Sequence, residues 1–180
     1  MISNLINLLT LLRIIFAIII SLLLILKSSY VFALILFFFA GLSDYYDGFF
    51  ARKFNATSEL GEILDPIADK ILITFILITL GVNLSSFIIA FASSIIISRE
   101  IWVSALRDFS ARKNILNATK VTYLAKVKTS LQLFTIFLYL LALAINNMIL
   151  IVLADAFLIL SVMVTVYTGY EYTISVIRNK

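Results

Sequence analysis

Long apolar runs separated by short polar breaks restrict what this chain can fold into more than any other feature. Six runs stand out, and each is close to, or slightly longer than, the ~20 residues that an α-helix needs to cross ~30 Å of hydrocarbon. The predicted spans are residues 7–26, 30–51, 59–81, 86–106, 124–145 and 149–174. The sequence therefore predicts an all-α, polytopic membrane protein in which residues 1–180 form a single membrane domain.

The composition agrees with a membrane protein and excludes several kinds of catalytic site. Hydrophobic residues make up 63% of the chain and charged residues 13%, whereas about a quarter of a soluble domain is charged. The chain has no cysteine and no histidine, which excludes disulfides, thiol nucleophiles, Cys/His zinc sites and imidazole acid–base chemistry. Any catalysis must therefore depend on carboxylates, hydroxyl groups, Lys, Arg and a bound ion.

The distribution of Lys and Arg predicts the orientation in the membrane. If the N-terminus is cytoplasmic, the outer side keeps only Lys27, and most other basic residues lie at or near the cytoplasmic side. Those residues are Arg52, Lys53, Arg107, Arg112, Lys113, Lys120, Lys126, Lys128, Arg178 and Lys180. We therefore expect six transmembrane helices with both termini in the cytoplasm.

Four aspartates lie where the second and third spans meet the predicted cytoplasmic boundary. Residues three or four apart share one face of a helix. One such stripe is formed by Asp44, Asp47, Gly48 and Ala51, with Arg52 at its edge, and the other by Gly61, Asp65 and Asp69. Because a short loop joins the two spans, we expect them to be antiparallel neighbours whose stripes face each other.

Carboxylates at this depth indicate a bound cation. An Asp at the centre of a span costs about 2.5–3.5 kcal/mol, and converging anions repel one another unless cations separate them. Ligands that are all oxygen suit Mg²⁺ or Mn²⁺, and two such ions could bind a phosphate or pyrophosphate. A polar network between spans, or the proton or cation path of a small transporter, is the alternative. Arg52 and the interleaved small residues favour a ligand pocket, and Lys70 would hinder a cation path.

The pattern Asp-x2-Asp-Gly-x2-Ala-Arg-x8-Gly-x3-Asp-x3-Asp over residues 44–69 resembles the motif of the CDP-alcohol phosphotransferase family, and every fixed position is matched. The resemblance implies transfer of a phosphatidyl group from a CDP-linked lipid to an alcohol, with release of CMP. It also implies that Asp44, Asp47, Asp65 and Asp69 hold two divalent metal ions. Asp69 would in addition be the base that deprotonates the acceptor hydroxyl.

The first span carries Asn7, Thr10 and Arg13 on one helical face. An interfacial anchor is one interpretation of this face. The triplet also resembles the Asn-x2-Thr-x2-Arg start of the phosphatidylglycerophosphate synthases within the family, where this face lies near the nucleotide diphosphate. The resemblance implies that these three residues bind the CDP diphosphate together with Gly48, Ala51, Arg52 and Gly61.

Basic residues near the ends of the fourth and fifth spans bear on the acceptor. They are Arg99, Arg107, Lys126 and Lys128. Snorkelling towards the membrane surface would explain any one of them. As a set, the Arg-Glu-x6-Arg and Lys-x-Lys-Thr segments resemble the acceptor-phosphate site of the same synthases.

This second resemblance implies that the substrates are CDP-diacylglycerol and sn-glycerol 3-phosphate and that the product is phosphatidylglycerophosphate. It also implies an enzyme of a bacterial-type inner (plasma) membrane, active on the cytoplasmic face, without a nucleic-acid partner and, by analogy, a homodimer. A sister enzyme that uses phosphatidylglycerol, inositol phosphate or serine is the main alternative. These acceptors differ in phosphate charge and bulk, so the basic residues are the feature that discriminates between them.

Overall fold

The computed structural model describes residues 2–54, 59–113 and 123–178, and every secondary-structure element in these ranges is a helix. The helices are α1 (Ile2–Ile25), α2 (Tyr30–Phe54), α3 (Glu59–Asn83), α4 (Phe87–Arg112), α5 (Tyr123–Ile145) and α6 (Met148–Arg178). Each predicted span coincides with one of them, so the all-α prediction with six helices is confirmed. The largest differences are at the C-terminal end of α4, which continues past the apolar run, and at the N-terminal end of α1, which begins before it.

Within the described ranges, four segments are long and apolar enough to cross a membrane. They are Asn7–Ile25, Phe87–Arg112, Val127–Ile145 and Met148–Arg178. The apolar part of α2 is shorter and ends at Asp44, and α3 carries Asp65, Asp69 and Lys70 in its first half. Large apolar side chains such as Phe87, which is 93% exposed, cover the outside of the bundle. Surfaces of this kind need lipid around them, so the chain is a multi-pass membrane protein.

The connections α1–α2, α3–α4 and α5–α6 are short and similarly built. Each preceding helix is followed by one residue in the left-handed region, namely Lys27 (φ 49°), Ser85 (φ 49°) and Asn146 (φ 53°). In the first connection, Ser28 N–H donates to the carbonyl of Leu23 at 3.2 Å, and Ser29 Oγ then accepts from Phe32 N–H at 3.3 Å. These turns define one end of the bundle, and the predicted site residues lie towards the other end.

The packing order differs from one expectation. α1 contacts both α2 and α3, α6 contacts α4 and α5, α3 contacts α4 and α5, and α5 also contacts α2. In the described ranges, α2 and α3 do not pack directly against each other, so the prediction that they are direct neighbours is wrong there. The physical reason lies in α1, because its buried Arg13 contacts Asp44 of α2 and Asp69 of α3 and occupies the space between the two helices.

The apolar core is built around α3. Leu72, Ile76, Leu77 and Leu80 are almost completely buried against side chains from the other helices, including Ile20. The core fills the bundle towards the short turns, which leaves the opposite end for polar side chains. The polar site therefore rests on a packed apolar base.

Candidate active site

The described aspartates of the motif surround two side chains of α1. Arg13 is fully buried, and its Nη2 lies 3.0 Å from Asp44 Oδ1 while its Nη1 lies 2.5 Å from Asp69 Oδ1. One turn earlier, Thr10 Oγ1 donates a hydrogen bond of 2.8 Å to Asp65 Oδ1. The structure thus brings together aspartates from both predicted stripes, and α1 provides the groups that hold them.

This polar centre is open on the side away from Arg13. The side chains of Asp44 and Asp69 are 51% and 41% exposed, although the guanidinium between them is completely buried. Accessible carboxylate oxygens are the ligands that hard divalent cations prefer. Among the described residues, however, no group of three or more acidic side chains is arranged to hold a metal ion.

Several predicted site residues fall outside this description. α2 and α5 include Asp47, Gly48, Ala51, Arg52 and Lys126, but the surroundings of these residues lie outside the described part of the structure. At the start of α3, Gly61 is buried, and Asn7 is half-buried one turn before Thr10. The roles assigned to these residues from the sequence stay predictions.

A cavity of about 370 Å³ adjoins the aspartate centre and is lined by α3, α4 and α5. Its volume is within the range of about 300–1,000 Å³ that is usual for small-molecule sites. Asp69 lines this cavity together with Arg99, Arg107 and Lys128. The structure therefore places the predicted base and three predicted phosphate ligands around the same space.

Backbone and side-chain groups of α6 hold the two arginines of the cavity. Arg99 Nε donates to the carbonyl of Thr165 at 3.1 Å, and Nη2 donates to Thr168 Oγ1 at 2.9 Å. Arg107 Nη2 donates to the hydroxyl of Tyr172 at 3.1 Å, and its Cζ lies 5.3 Å from the centre of the Tyr172 ring. The guanidinium groups are thus fixed by hydrogen bonds and a cation–π contact.

The lysines of the cavity also have partners. Lys128, only 6% exposed, forms an ion pair with Glu100 Oε1, and Arg99 Nη1 lies 3.1 Å from the same oxygen. On α3, Lys70 Nζ donates to Ser104 Oγ at 2.6 Å. Lys70 and Glu100 line the cavity as well. Neither residue received a role from the sequence, although Glu100 is the Glu of the Arg-Glu-x6-Arg segment.

The described lining of the cavity is rich in positive charge. Four cationic side chains (Lys70, Arg99, Arg107 and Lys128) and two anionic ones (Asp69 and Glu100) line it. If all six are ionised, two positive charges are left in excess. An excess of this size matches a phosphate monoester dianion, and low-dielectric walls strengthen the attraction.

The contribution of α6 was also missed from the sequence, although a signal for it exists. Ser161, Thr165, Thr168 and Tyr172 recur at spacings of three or four residues in an otherwise apolar helix, and all of them are buried. A polar stripe in a membrane span usually faces the protein interior. Such a stripe predicts a buried face, but it does not name the arginines that the face would hold.

Comparisons with known proteins agree with the motif. Residues 3–168 match the CDP-alcohol phosphatidyltransferase family. A protein of Wigglesworthia glossinidia brevipalpis named CDP-diacylglycerol–glycerol-3-phosphate 3-phosphatidyltransferase is 44% identical over 103 residues, which cover 57% of this chain and 57% of the relative. A Rickettsia bellii protein of the same name is 35% identical over 139 residues, covering 77% of this chain and 75% of the relative.

A third relative with that name comes from Escherichia coli K12. It is 34% identical over 101 residues, and the match covers 56% of each chain. For the Wigglesworthia and Escherichia proteins, the chain therefore spans little more than half the length of the relative that it matches.

Proposed function

This chain belongs to the CDP-alcohol phosphatidyltransferase family, and we propose that it transfers the phosphatidyl group of CDP-diacylglycerol to sn-glycerol 3-phosphate. The products are CMP and phosphatidylglycerophosphate. The observation that carries this proposal is the cavity in which Asp69 adjoins Arg99, Arg107 and Lys128. The names of the relatives support the same pair of substrates.

The electrostatics of the cavity favour an acceptor that carries a phosphate monoester. Glycerol 3-phosphate brings two negative charges, which the excess of two positive charges in the described lining can balance. Serine carries no phosphate, and phosphatidylglycerol carries a singly charged diester on a much bulkier molecule. The cavity therefore suits a small phosphorylated alcohol better than either of them.

The proposed base is Asp69, which connects the aspartate centre with the cavity. Its carboxylate contacts Arg13 through Oδ1 and is 41% exposed, so a bound hydroxyl could reach it. In the reaction, Asp69 takes the proton from the acceptor hydroxyl as the new oxygen–phosphorus bond forms. The bond between the phosphorus of the phosphatidyl group and the oxygen of the departing CMP breaks at the same time. Base catalysis of this kind contributes roughly 10²–10⁴-fold in rate.

The family generally uses divalent metal ions, and we assign two of them, Mg²⁺ or Mn²⁺, to Asp44, Asp47, Asp65 and Asp69. The donor set fits, because it consists of carboxylates and because Asp44 and Asp69 already converge on one cationic group, the Arg13 guanidinium. Bound ions would neutralise the diphosphate and stabilise the departing phosphate of CMP.

The proposed diphosphate-binding face combines Thr10 and Arg13 with residues predicted from the motif. Both side chains already contact the aspartates, so a diphosphate held by metal ions on these carboxylates would lie beside them. Asn7 precedes Thr10 by one turn of α1. The other proposed members of this face are Gly48, Ala51, Arg52 and Gly61.

We further propose a bacterial inner-membrane location with the active site and both termini at the cytoplasmic side. The bacterial relatives and the concentration of basic residues at the active-site end support this orientation. Because the chain has no cysteine, single cysteines introduced at Lys27 and Arg112 can be labelled separately from outside spheroplasts. Labelling of Arg112→Cys but not Lys27→Cys would contradict the orientation.

A homodimer is proposed by family analogy, and the mass of the purified protein in detergent tests it.

An acceptor panel tests the reaction itself. Purified protein in mixed micelles would receive CDP-diacylglycerol and glycerol 3-phosphate, glycerol, inositol phosphate, serine or phosphatidylglycerol, with CMP release as the readout. We expect release that depends on glycerol 3-phosphate and a lipid product that carries two phosphorus atoms. Equal turnover with unphosphorylated glycerol would contradict the acceptor assignment, and no CMP release with any acceptor would contradict the proposed reaction.

A further inference from the structure

Glu100 is an unusual residue for the proposed phosphate-binding cavity. It lies on α4 among cationic side chains and lines the cavity with a side chain that is 20% exposed. A carboxylate repels a phosphate dianion, and the repulsion is strong where the dielectric constant is low. Its presence therefore needs a reason other than phosphate binding.

Ion pairs with nearby cations involve only one of the two oxygens of the Glu100 carboxylate. Arg99 Nη1 lies 3.1 Å from Oε1, and Lys128 Nζ is paired with the same oxygen. Among the contacts of the described residues, Oε2 is in neither of these ion pairs. Glu100 thus holds two cations with one oxygen, and its second oxygen, a strong hydrogen-bond acceptor, stays outside these ion pairs on a side chain that lines the cavity.

The other acceptors of the described lining are neutral oxygens, such as those of Gln132 and Thr129. Lys70, Arg99, Arg107 and Lys128 can only donate, and Ser104 already accepts from Lys70. The amide nitrogen of Gln132 donates to Thr165 Oγ1 at 3.2 Å. Apart from the proposed base Asp69, Glu100 is the ionised acceptor that the described lining offers.

A polyol phosphate needs such an acceptor. Glycerol 3-phosphate has two hydroxyl groups, of which one attacks phosphorus and loses its proton. The other hydroxyl keeps its proton and would be a donor without a partner once the bound substrate excludes water from the cavity, which is costly. A carboxylate oxygen satisfies it with a charge-assisted hydrogen bond.

We propose that Glu100 Oε2 accepts a hydrogen bond from the non-reacting hydroxyl of the acceptor, and that Glu100 thereby selects polyol phosphates over phosphates of simple alcohols. The inference rests on the proposed function, since it concerns how that same acceptor is recognised. Glu100 becomes a specificity-determining residue, in addition to holding Arg99 and Lys128 in position.

The test compares glycerol 3-phosphate with 3-hydroxypropyl phosphate, which keeps the phosphate and the reacting hydroxyl but lacks the other hydroxyl. Loss of one hydrogen bond to a charged group corresponds to about ten- to a hundredfold, so wild-type protein should prefer glycerol 3-phosphate by about that ratio of kcat/KM. Glu100→Met should reduce the preference to less than about threefold. Glu100→Gln, which keeps a neutral accepting oxygen, should lie between the two.

Comparing the two acceptors separates loss of the contact with the non-reacting hydroxyl from a general disturbance of the phosphate-binding side chains. Disturbing Arg99 and Lys128 weakens phosphate binding, and this affects both acceptors alike because both carry the same phosphate. The matched control is Arg107→Gln, because Arg107 lines the same cavity and bonds to Tyr172; it should lower kcat/KM for both acceptors and leave their ratio at the wild-type value. A change in the ratio with Glu100→Met but not with Arg107→Gln supports the inference.

Two results would overturn the proposed role of Glu100. Equal use of the two acceptors by wild-type protein does so without any variant, so the test stands even if Glu100→Met fails to fold. An unchanged preference in a folded Glu100→Met protein also does so, and the proposed reaction would survive either result. Absence of CMP release with glycerol 3-phosphate in wild-type protein would instead overturn the proposed function, and this inference with it.

Discussion

Gly169 offers a way to disturb the acceptor site without removing any of its functional groups. It lies on α6 beside Arg99, and a Cβ added there would be 3.0 Å from Arg99 Cγ and 3.4 Å from its Nε. The Arg99 side chain cannot simply swing away, because Nε donates to the Thr165 carbonyl and Nη2 to Thr168 Oγ1. Gly169→Ala should therefore push the guanidinium out of place by a few tenths of an ångström.

The effect on stability should be small, because two contributions oppose each other. Replacing Gly by Ala inside a helix gains about 1 kcal/mol, whereas overpacking a filled site costs about 1–3 kcal/mol. The expected free energy of unfolding is thus between unchanged and about 2 kcal/mol lower. The effect on the binding of glycerol 3-phosphate should be larger than the effect on stability. Complete loss of one charged hydrogen bond weakens binding about ten- to a hundredfold, so a displaced Arg99 should raise the KM for glycerol 3-phosphate by up to about tenfold.

The assay measures KM for each substrate while the other is saturating, together with thermal unfolding in detergent. Gly41→Ala is the matched control, because a Cβ at Gly41 in α2 would meet nothing within 4 Å. That variant should keep both KM values. For Gly169→Ala we expect a higher KM for glycerol 3-phosphate and an unchanged KM for CDP-diacylglycerol. An unchanged KM for glycerol 3-phosphate in a folded Gly169→Ala protein would refute the role given to Arg99.

Three further predictions concern the metal ions, the base and the exposed arginine. EDTA should abolish CMP release and Mg²⁺ or Mn²⁺ should restore it, because converging carboxylates need cations; full turnover in chelator would remove metal ions from the mechanism. Asp69→Asn should lower kcat at least about a hundredfold and weaken CDP-diacylglycerol binding less than Asp44→Asn or Asp65→Asn does, and near-normal turnover would show that another group is the base. Arg107→Ala should raise the KM for glycerol 3-phosphate about ten- to a hundredfold with the KM for CDP-diacylglycerol unchanged, while Tyr172→Phe, which removes the hydroxyl that accepts from Arg107, should raise it only a few-fold. Equal losses towards both substrates would indicate that Arg107 serves as a membrane anchor.

The helices could be predicted from sequence because their limits depend on local chemistry. Apolar runs of about 20 residues set their lengths. The breaks at Lys27, Ser85 and Asn146 coincide with turns in which the left-handed residue and the following cap satisfy backbone groups. None of this depends on distant parts of the chain, so the pattern alone was sufficient.

The order of helix packing could not be predicted in this way. A short loop indicates that two helices are close in sequence, yet it does not exclude a third helix between them. Here α1 contacts both α2 and α3, and Arg13 separates Asp44 from Asp69. The position of Arg13 depends on three helices at once, which helical periodicity does not describe. The same limit applies to α6, whose polar stripe is visible in the sequence although its partners Arg99 and Arg107 are not.

Burial distinguishes the two interpretations that the sequence left open for the basic residues. A snorkelling or anchoring side chain keeps its charge at the membrane surface, whereas Arg13, Arg99 and Lys128 are 0%, 9% and 6% exposed. Each of the three contacts a carboxylate. Their burial therefore excludes an anchoring role in this structure and agrees with a charged ligand site. Arg107 is exposed and bonded to the buried Tyr172, so geometry permits both roles, and the difference between its effects on the two KM values decides between them.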